Sequence, residues 1–213
     1  MIAQPNDQGF SMIELLTSIG IFAVLMALIS TFAIRGMLTI REMSALSEVQ
    51  TQEQNAAEYM SRLLRFTDNP VETLPATPAI TYAGTVAGLP KITFFTYAGT
   101  GATDRIPYLA TIQQTASGIE SSVCPANVTV TPMVCTGTAH RRVLVPKDGQ
   151  NTPTLRLKYW AGTAALPAEL TPAANTSLTT ALMNSLRAVQ FTITGTGSNM
   201  TVDQTVVLEN PRS

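Results

Sequence analysis

The sequence has few of the residues from which active sites and metal sites are usually built. Its 213 residues include one histidine, His140, and two cysteines, too few for a structural zinc site. There is no HExxH, GxSxG or P-loop pattern. His140 precedes Arg141 and Arg142, a sequence more typical of a solvated turn than of a catalytic base. We therefore expect a protein that is not an enzyme, with no catalytic residue, no metal and no cofactor.

The sequence is also poor in charge. Asp, Glu, Lys and Arg make up 13% of the residues, and the formal net charge is -1. Proteins that bind nucleic acid mainly through its phosphates carry a basic surface field, which this composition does not supply. One short basic group, His140, Arg141, Arg142 and Lys147, leaves nucleic acid open as a weakly supported partner.

Charge is absent altogether from Leu15 to Ile34. A run of about twenty apolar residues, rising about 1.5 Å per residue as a helix, is long enough to cross the roughly 30 Å hydrocarbon layer of a membrane. At its N-terminal edge stands a lone acid, Glu14, flanked by apolar residues. An unpaired carboxylate is costly there, so Glu14 is expected to need a positively charged partner.

The stretch Gly9-Phe10-Ser11-Met12-Ile13-Glu14, with the apolar run after it, resembles the N-terminal signature of type IV prepilins and type II secretion pseudopilins. In that family a dedicated peptidase cleaves after the glycine, and the exposed residue, usually phenylalanine, is N-methylated. The resemblance assigns residues 1–9 to a leader, the cleaved bond to Gly9 and Phe10, and the family's assembly glutamate to Glu14. It implies that Glu14 of one subunit neutralises the Phe10 ammonium of another in a filament.

Two other kinds of N-terminal segment are alternatives to a prepilin leader. A secretory signal peptide has a basic start and an apolar core of 7–15 residues, whereas residues 1–9 contain no Lys or Arg and the apolar run is longer. A plain signal anchor stays open, with Glu14 as a boundary residue. The orientation follows from the resemblance alone, because Arg35 and Arg41 lie on the side placed outside, against the positive-inside tendency.

Beyond the membrane the helix is predicted to continue as an amphipathic segment, residues 35–66. From Arg35 to Arg65 there is no proline and only one glycine. Apolar or small residues recur at helical spacing, which predicts a face that packs on a sheet. These residues are Met43, Leu46, Val49, Ala56, Met60 and Leu63. One helix from about Ser11 to Phe66 is expected, ended by Asp68-Asn69-Pro70.

The remainder, residues 67–213, is predicted to be a β-rich extracytoplasmic domain. Several segments alternate apolar and polar residues, which is typical of half-buried strands, and a short helix or loop is expected between Thr171 and Ala188. The predicted fold class is α+β, pilin-like: a long N-terminal helix, membrane-spanning over residues 10–34, packed on a mainly antiparallel sheet. The candidate strands are Lys91–Tyr97, Tyr108–Gln113, Val128–Thr131, Arg142–Val145, Thr154–Trp160, Ala188–Thr194 and Thr201–Leu208.

The two cysteines, Cys124 and Cys135, enclose a short loop. A disulfide between them would stabilise the fold by about 3 kcal/mol in the chain-entropy model. Disulfides persist outside the cytoplasm, where the resemblance places this domain. We predict the disulfide, with two buried free thiols as the alternative.

The resemblance implies a structural role as a minor subunit of a type IV pilus or pseudopilus. Residues 58–65, 186–191 and 206–212 look like the layout of J-type minor pseudopilins and PilW-like minor pilins. The expected partners are other pilins or pseudopilins, the prepilin peptidase, the inner-membrane assembly platform and membrane lipid. The expected location is the inner or plasma membrane, then the filament. A tip adhesin or DNA-binding minor pilin is the alternative.

Overall fold

The computed structural model describes residues 11–67, 79–97, 107–127, 134–149, 151–163, 166–196 and 201–208. The chain divides into two compact units, one up to Ala45 and one from Leu46 onward. A single long helix, α1 (Met12–Arg65), contributes to both units, and a short helix, α2 (Thr180–Asn184), lies in the second. The strands are β1 (Ile80–Val86), β2 (Leu89–Thr96), β3 (Tyr108–Thr115), β4 (Gly118–Asn127), β5 (Val134–Cys135), β6 (His140–Pro146), β7 (Thr154–Thr163), β8 (Leu166–Leu170), β9 (Leu186–Thr194) and β10 (Thr201–Val207).

The second unit contains two antiparallel sheets. In the first, β1, β2, β3 and β4 are neighbours in chain order, and both β5 and β6 pair with β4. In the second, the order is β10-β9-β7-β8, so β7 and β9 pair at the centre although α2 lies between them in sequence. Successive residues of β7 alternate between the core and the surface: Leu155 and Tyr159 are in the core, whereas Arg156 and Lys158 are exposed.

One core joins the end of α1 to both sheets. From the helix, Ala57, Met60 and Leu64 are almost completely buried. They belong to the same hydrophobic cluster as Phe94 of β2 and Phe191 of β9. Burial of apolar area is the main favourable contribution to folding, so the distal part of α1 is held by packing rather than by helix propensity.

Polar contacts fix the C-terminal end of α1 on the sheets. The Thr96 hydroxyl donates to the Leu63 carbonyl at 3.0 Å, and the Tyr97 amide donates to the Phe66 carbonyl at 3.2 Å. Helix ends leave carbonyls without intrahelical partners, so these two bonds satisfy groups that the helix itself cannot. The Ser61 hydroxyl hydrogen-bonds Gln204 of β10.

The prediction of one helix followed by an antiparallel β-domain is confirmed. The helix begins and ends within one residue of the predicted bounds. Each candidate strand corresponds to a described strand except Val128–Thr131, which lies outside the described residues. Residues 68–70, which were predicted to end the helix, also lie outside the described residues. The prediction of the packing face was wrong for its first residues. Met43 and Leu46 are exposed, and full burial begins at Glu53, because the strands that cover the helix contact only its distal end.

Four strands were not anticipated: β1, β4, β5 and β8. Three of them contain glycine or proline, residues that are uncommon in strand interiors. Their pairing partners determine the strand conformation instead. β4, for instance, is held between β3 on one side and β5 and β6 on the other.

The predicted disulfide is present. Cys124 of β4 and Cys135 of β5 are joined, with their Cα atoms 5.6 Å apart, and Cys135 pairs with Ala126 across the short ladder. Cys124 is buried and Cys135 is exposed, so the alternative of two buried thiols does not apply. The bond closes the end of the β4–β5 pairing.

Reduction of this disulfide is expected to lower the free energy of unfolding by about 3 kcal/mol, because the unfolded chain regains the conformational entropy that the closed loop had removed. Urea unfolding with and without dithiothreitol measures the loss. The double variant Cys124→Ser, Cys135→Ser is the control, and its stability should not respond to the reductant. An unchanged unfolding midpoint after reduction of the parent protein would contradict the prediction.

Candidate functional site

The first turn of α1 places Glu14 at the start of the apolar run. Ser11 precedes the helix, and its hydroxyl accepts a hydrogen bond from the Ile13 amide at 3.4 Å. In return, Glu14 Oε2 accepts from the Ser11 amide at 3.4 Å. This reciprocal pair, in the sequence Ser11-Met12-Ile13-Glu14, has the S-x-x-E form of a capping box. Both bonds are long, and only the bond from the Ser11 amide involves the Glu14 carboxylate, which is therefore directed toward the helix N-terminus without being fully engaged.

Glu14 and the apolar side chains after it are exposed in the isolated chain. Phe22 and Ile29 are each about 60% exposed, and Phe32 is 80% exposed. The helix is long and apolar enough to cross a membrane, and the most apolar part of it has no burial within the protein. Water is a poor solvent for such a surface, so these side chains require lipid or other apolar helices around them.

Three hydroxyl groups inside the apolar run, those of Thr17, Ser18 and Thr31, are satisfied by the helix itself. Thr17 donates to the carbonyls of Ile13 and Glu14 at 3.0 Å, and Ser18 donates to the Glu14 carbonyl at 2.7 Å. Thr31 donates to the Ala27 carbonyl at 2.8 Å. A polar group left unpaired in hydrocarbon costs several kcal/mol, so this pattern makes the segment compatible with a membrane interior.

The other predicted residues of this site, Gly9 and Phe10, lie outside the described residues. The predicted cleavage and methylation at this bond therefore stay predictions. Within the described residues there is no group of three His, Cys, Asp or Glu side chains arranged to hold a metal ion. Glu14 is thus the chemically distinctive group of the site, positioned by the cap at one end of an apolar helix.

The basic group does not form one continuous surface. Arg141 and Arg142 are consecutive in β6, so their side chains leave opposite faces of the sheet. Arg141 Nη2 lies 3.4 Å from Glu120 Oε2, whereas the Arg142 guanidinium lies 5.4 Å from the ring centre of Tyr59 on α1. Two of the four residues are therefore engaged within the protein, which weakens them as a phosphate-binding patch.

Sequence reasoning missed Glu53. It is an acid with no exposed surface, on the face of α1 that packs on the domain. A methyl group on Gly195 would overlap Glu53 Oε1 and would lie 2.9 Å from Asn151 Oδ1, so the carboxylate sits against the backbone that follows β9. A signal was available, because Glu53 occupies the helical spacing between Val49 and Ala56. Buried carboxylates are rare, because removal of a charge from water is costly.

Tyr159 and Trp160 are consecutive aromatic residues at the end of the predicted strand Thr154–Trp160. Tyr159 is buried, and its hydroxyl donates to the Lys91 carbonyl at 3.4 Å. Burial raises the pKa of the Tyr159 phenol well above its usual value, with a smaller contribution from Tyr82. The phenol stays neutral at physiological pH, as expected of a core residue.

Comparison with known proteins points to the same end of the chain. Neither the curated proteins nor the solved structures include a match to this sequence or fold. A family model described as the prokaryotic N-terminal methylation motif matches residues 4–30, which include the capping box and most of the apolar run. Proteins with this motif are structural subunits rather than enzymes. The chain therefore carries the N-terminal methylation motif of type IV prepilin-like precursors.

Proposed function

We propose that this protein is a minor subunit of a type IV pilus or pseudopilus. The observation that carries the proposal is the methylation motif at residues 4–30, coincident with an exposed apolar helix whose first turn holds the single acid Glu14. In this proposal the peptidase cleaves after Gly9 and methylates the amine of Phe10. Residues 10–34 hold the subunit in the membrane until it is extracted into the filament.

The proposed assembly step follows from charge and burial. When helices bundle in the filament, the Phe10 ammonium and the Glu14 carboxylate both leave water. Methylation keeps the positive charge of the amine, so Glu14 of a neighbouring subunit can still neutralise it. The capping box supports this role because it holds the carboxylate at the helix N-terminus through one long hydrogen bond, from the Ser11 amide, that a stronger ionic partner would displace.

The finer assignment to a J-type pseudopilin or PilW-like minor pilin rests on the layout of the domain. The end of α1 packs on a sheet that closes with the β9–β10 hairpin, and β10 is followed by the polar residues Glu209, Asn210 and Arg212. The proposed partners are the neighbouring pilins, the peptidase and the assembly platform, with the β-domain outside the membrane. The adhesin or DNA-binding alternative has no specific observation in its favour.

The replacement of Gly9 by alanine or a bulkier residue is expected to block processing, because the leader would no longer present the glycine that the peptidase of this family requires. Intact-mass and N-terminal analysis of membrane-extracted protein, with and without the peptidase, measures the result. The parent chain should begin at methylated Phe10 only when the peptidase is present, and the Gly9 variant should begin at Met1 in both strains.

The control variant is Gly20→Ala, which changes a glycine inside the apolar helix where an added methyl group meets no other atom. It should be processed like the parent. A parent chain that begins at Met1 in both strains would contradict the proposal and favour a plain signal anchor.

A further inference from the structure

The second sheet ends in a strand, β10, whose outer edge is regular and pairs with no other strand among the described residues. Native proteins usually blunt edge strands with proline, charge, a bulge or a covering segment. β10 pairs with β9 over its full length, from Thr201 opposite Thr194 to Val207 opposite Ala188, without a register shift. It contains no proline, and its one charged residue, Asp203, is hydrogen-bonded to Gln190 and Thr192 of β9.

The other edges are protected. The edge of β1 is covered by residues 176–178, with the Thr85 amide donating to the Thr176 carbonyl at 3.2 Å and the Leu178 amide to the Ala83 carbonyl at 2.9 Å. β6 carries two arginines and a register shift, and it ends at a proline. β8 has only five residues, one of them a proline. β10 is thus the long regular edge among the described strands.

The orientation of the β10 backbone follows from one hydrogen bond. The Leu208 amide donates to the Arg187 carbonyl at 2.8 Å, in the same register as the β9–β10 ladder. Because bonded and non-bonded pairs alternate in an antiparallel ladder, Val206, Gln204 and Val202 also direct their amides toward β9. The amides and carbonyls of the alternate residues therefore point outward. Those residues are Thr201, Asp203, Thr205 and Val207.

A basic cleft adjoins this edge. It has a volume of about 450 Å³ and is lined by Glu58, Ser61, Arg62, Arg65, Phe66 and Gln204. Phe66 is 54% exposed, and both arginines are exposed. Among the described residues, neither guanidinium has a carboxylate within 4.0 Å. The cleft therefore combines two arginines, which outnumber the acid Glu58 that also lines it, with an aromatic ring, next to a strand edge that no described strand pairs with.

We infer that β10 and this cleft, which we call the β10 cleft, bind an extended acidic segment of a partner protein by strand addition. An added strand places the residue opposite Gln204 on the same face of the sheet as the Gln204 side chain, which is the face that Ser61 contacts. A carboxylate at that position reaches toward Arg62 and Arg65. Backbone pairing with β10 sets the register of the added strand, and the two arginines favour acidic side chains in it.

A second copy of β10 fits the site less well. Its one carboxylate, Asp203, lies on the opposite face, where it accepts hydrogen bonds from Gln190 at 3.0 Å and Thr192 at 3.3 Å. Pairing between copies would therefore bring no carboxylate to the arginines. The charge of the β10 cleft favours a different protein that carries acidic residues at alternate positions of an extended segment. The inference uses residues from Leu46 onward and stands whether or not Gly9 is cleaved.

The test uses the full chain in detergent and fluorescein-labelled peptides of seven residues, the length of β10. The probe alternates threonine with glutamate, and a matched peptide alternates threonine with glutamine. Fluorescence anisotropy should show that the glutamate peptide binds at least about tenfold more tightly. The double variant Arg62→Gln, Arg65→Gln should bind both peptides alike, whereas Arg156→Gln, an exposed arginine on β7, should behave like the parent.

A third peptide tests strand addition itself. It keeps the glutamates but is N-methylated at the threonine amides, the donors that would pair with the outward carbonyls of β10, and its binding should be lost. Equal binding of the glutamate and glutamine peptides, full binding of the methylated peptide, or absence of all binding would each overturn the inference. A further outcome is that the chain self-associates without binding any peptide and that Thr205→Pro abolishes this self-association. This result would identify a second copy of the chain as the occupant and would also overturn the inference. Equal thermal midpoints for parent and variants show that the variants are folded.

Discussion

Replacement of Glu14 by alanine is expected to leave the protein in the membrane and to reduce its recovery in assembled filaments by about tenfold or more. The loss follows because the Phe10 ammonium of a neighbouring subunit would be left without its partner in an environment from which water is excluded, which costs about 3–5 kcal/mol for a buried charge. The apolar run after Glu14 is unchanged, so membrane insertion should not suffer. Comparison of the sheared filament fraction with the membrane fraction measures the effect.

The capping box supplies the control that separates charge from local structure. Glu14→Gln keeps an oxygen that can accept from the Ser11 amide but removes the charge, so it should fail to assemble as the alanine variant does. Ser11→Ala removes the other half of the cap and keeps the charge, so it should assemble. Glu48→Ala changes an exposed acid farther along α1 and should have no effect. Normal assembly of Glu14→Gln would show that Glu14 acts only as a cap.

Gly118→Ala is expected to destabilise the β-domain by about 3 kcal/mol or more, because it combines an unfavourable backbone conformation with a steric overlap. Gly118 begins β4 with φ +130, in a region that side chains rarely adopt. A methyl group there would also overlap the Val145 carbonyl oxygen and lie 2.9 Å from the Lys147 amide nitrogen. Both contacts are with backbone, which cannot move aside without breaking the pairing of β4 with β6.

Two other glycines separate the cost of the backbone conformation from the cost of the steric overlap. Gly88 has φ +77 but open space around it, so Gly88→Ala should cost only the backbone conformation, about 1–2 kcal/mol. Gly137 has open space and no positive φ, so its alanine variant should unfold like the parent. Urea unfolding of the three variants gives the comparison. A Gly118 variant no less stable than the Gly88 variant would show that the overlap is relieved without cost.

Much of the first unit was predictable because its signals are local. The absence of charge from Leu15 to Ile34 and the lack of proline through Arg65 specify a long helix without reference to any other part of the chain. Glu14 was likewise identified by its position at the edge of that run. The S-x-x-E pattern around it depends on residues three apart, which neighbour each other in any helix.

Strand pairing in the second unit was only partly predictable because its determinants are distant in sequence. β7 and β9 alternate clearly and were predicted, but β1 and β4 are strands because of the partners that pair with them. The β10 cleft is a further case, since Arg62 and Arg65 look like ordinary residues of a helix end. Only the fold brings Gln204 beside them, more than a hundred residues later in the chain.

The sequence by itself determined the class of this protein: an apolar helix of membrane length, a lone acid at its start, a methylation motif and two cysteines spaced for a disulfide. Each depends on residues that are close in the chain, so composition and spacing were sufficient. The tertiary structure alone decided where the helix begins to be buried, why Glu53 is inside, and which long sheet edge has no pairing strand among the described residues. Those features depend on contacts between distant segments, which are set by the packing of two sheets around one helix and not by any local pattern.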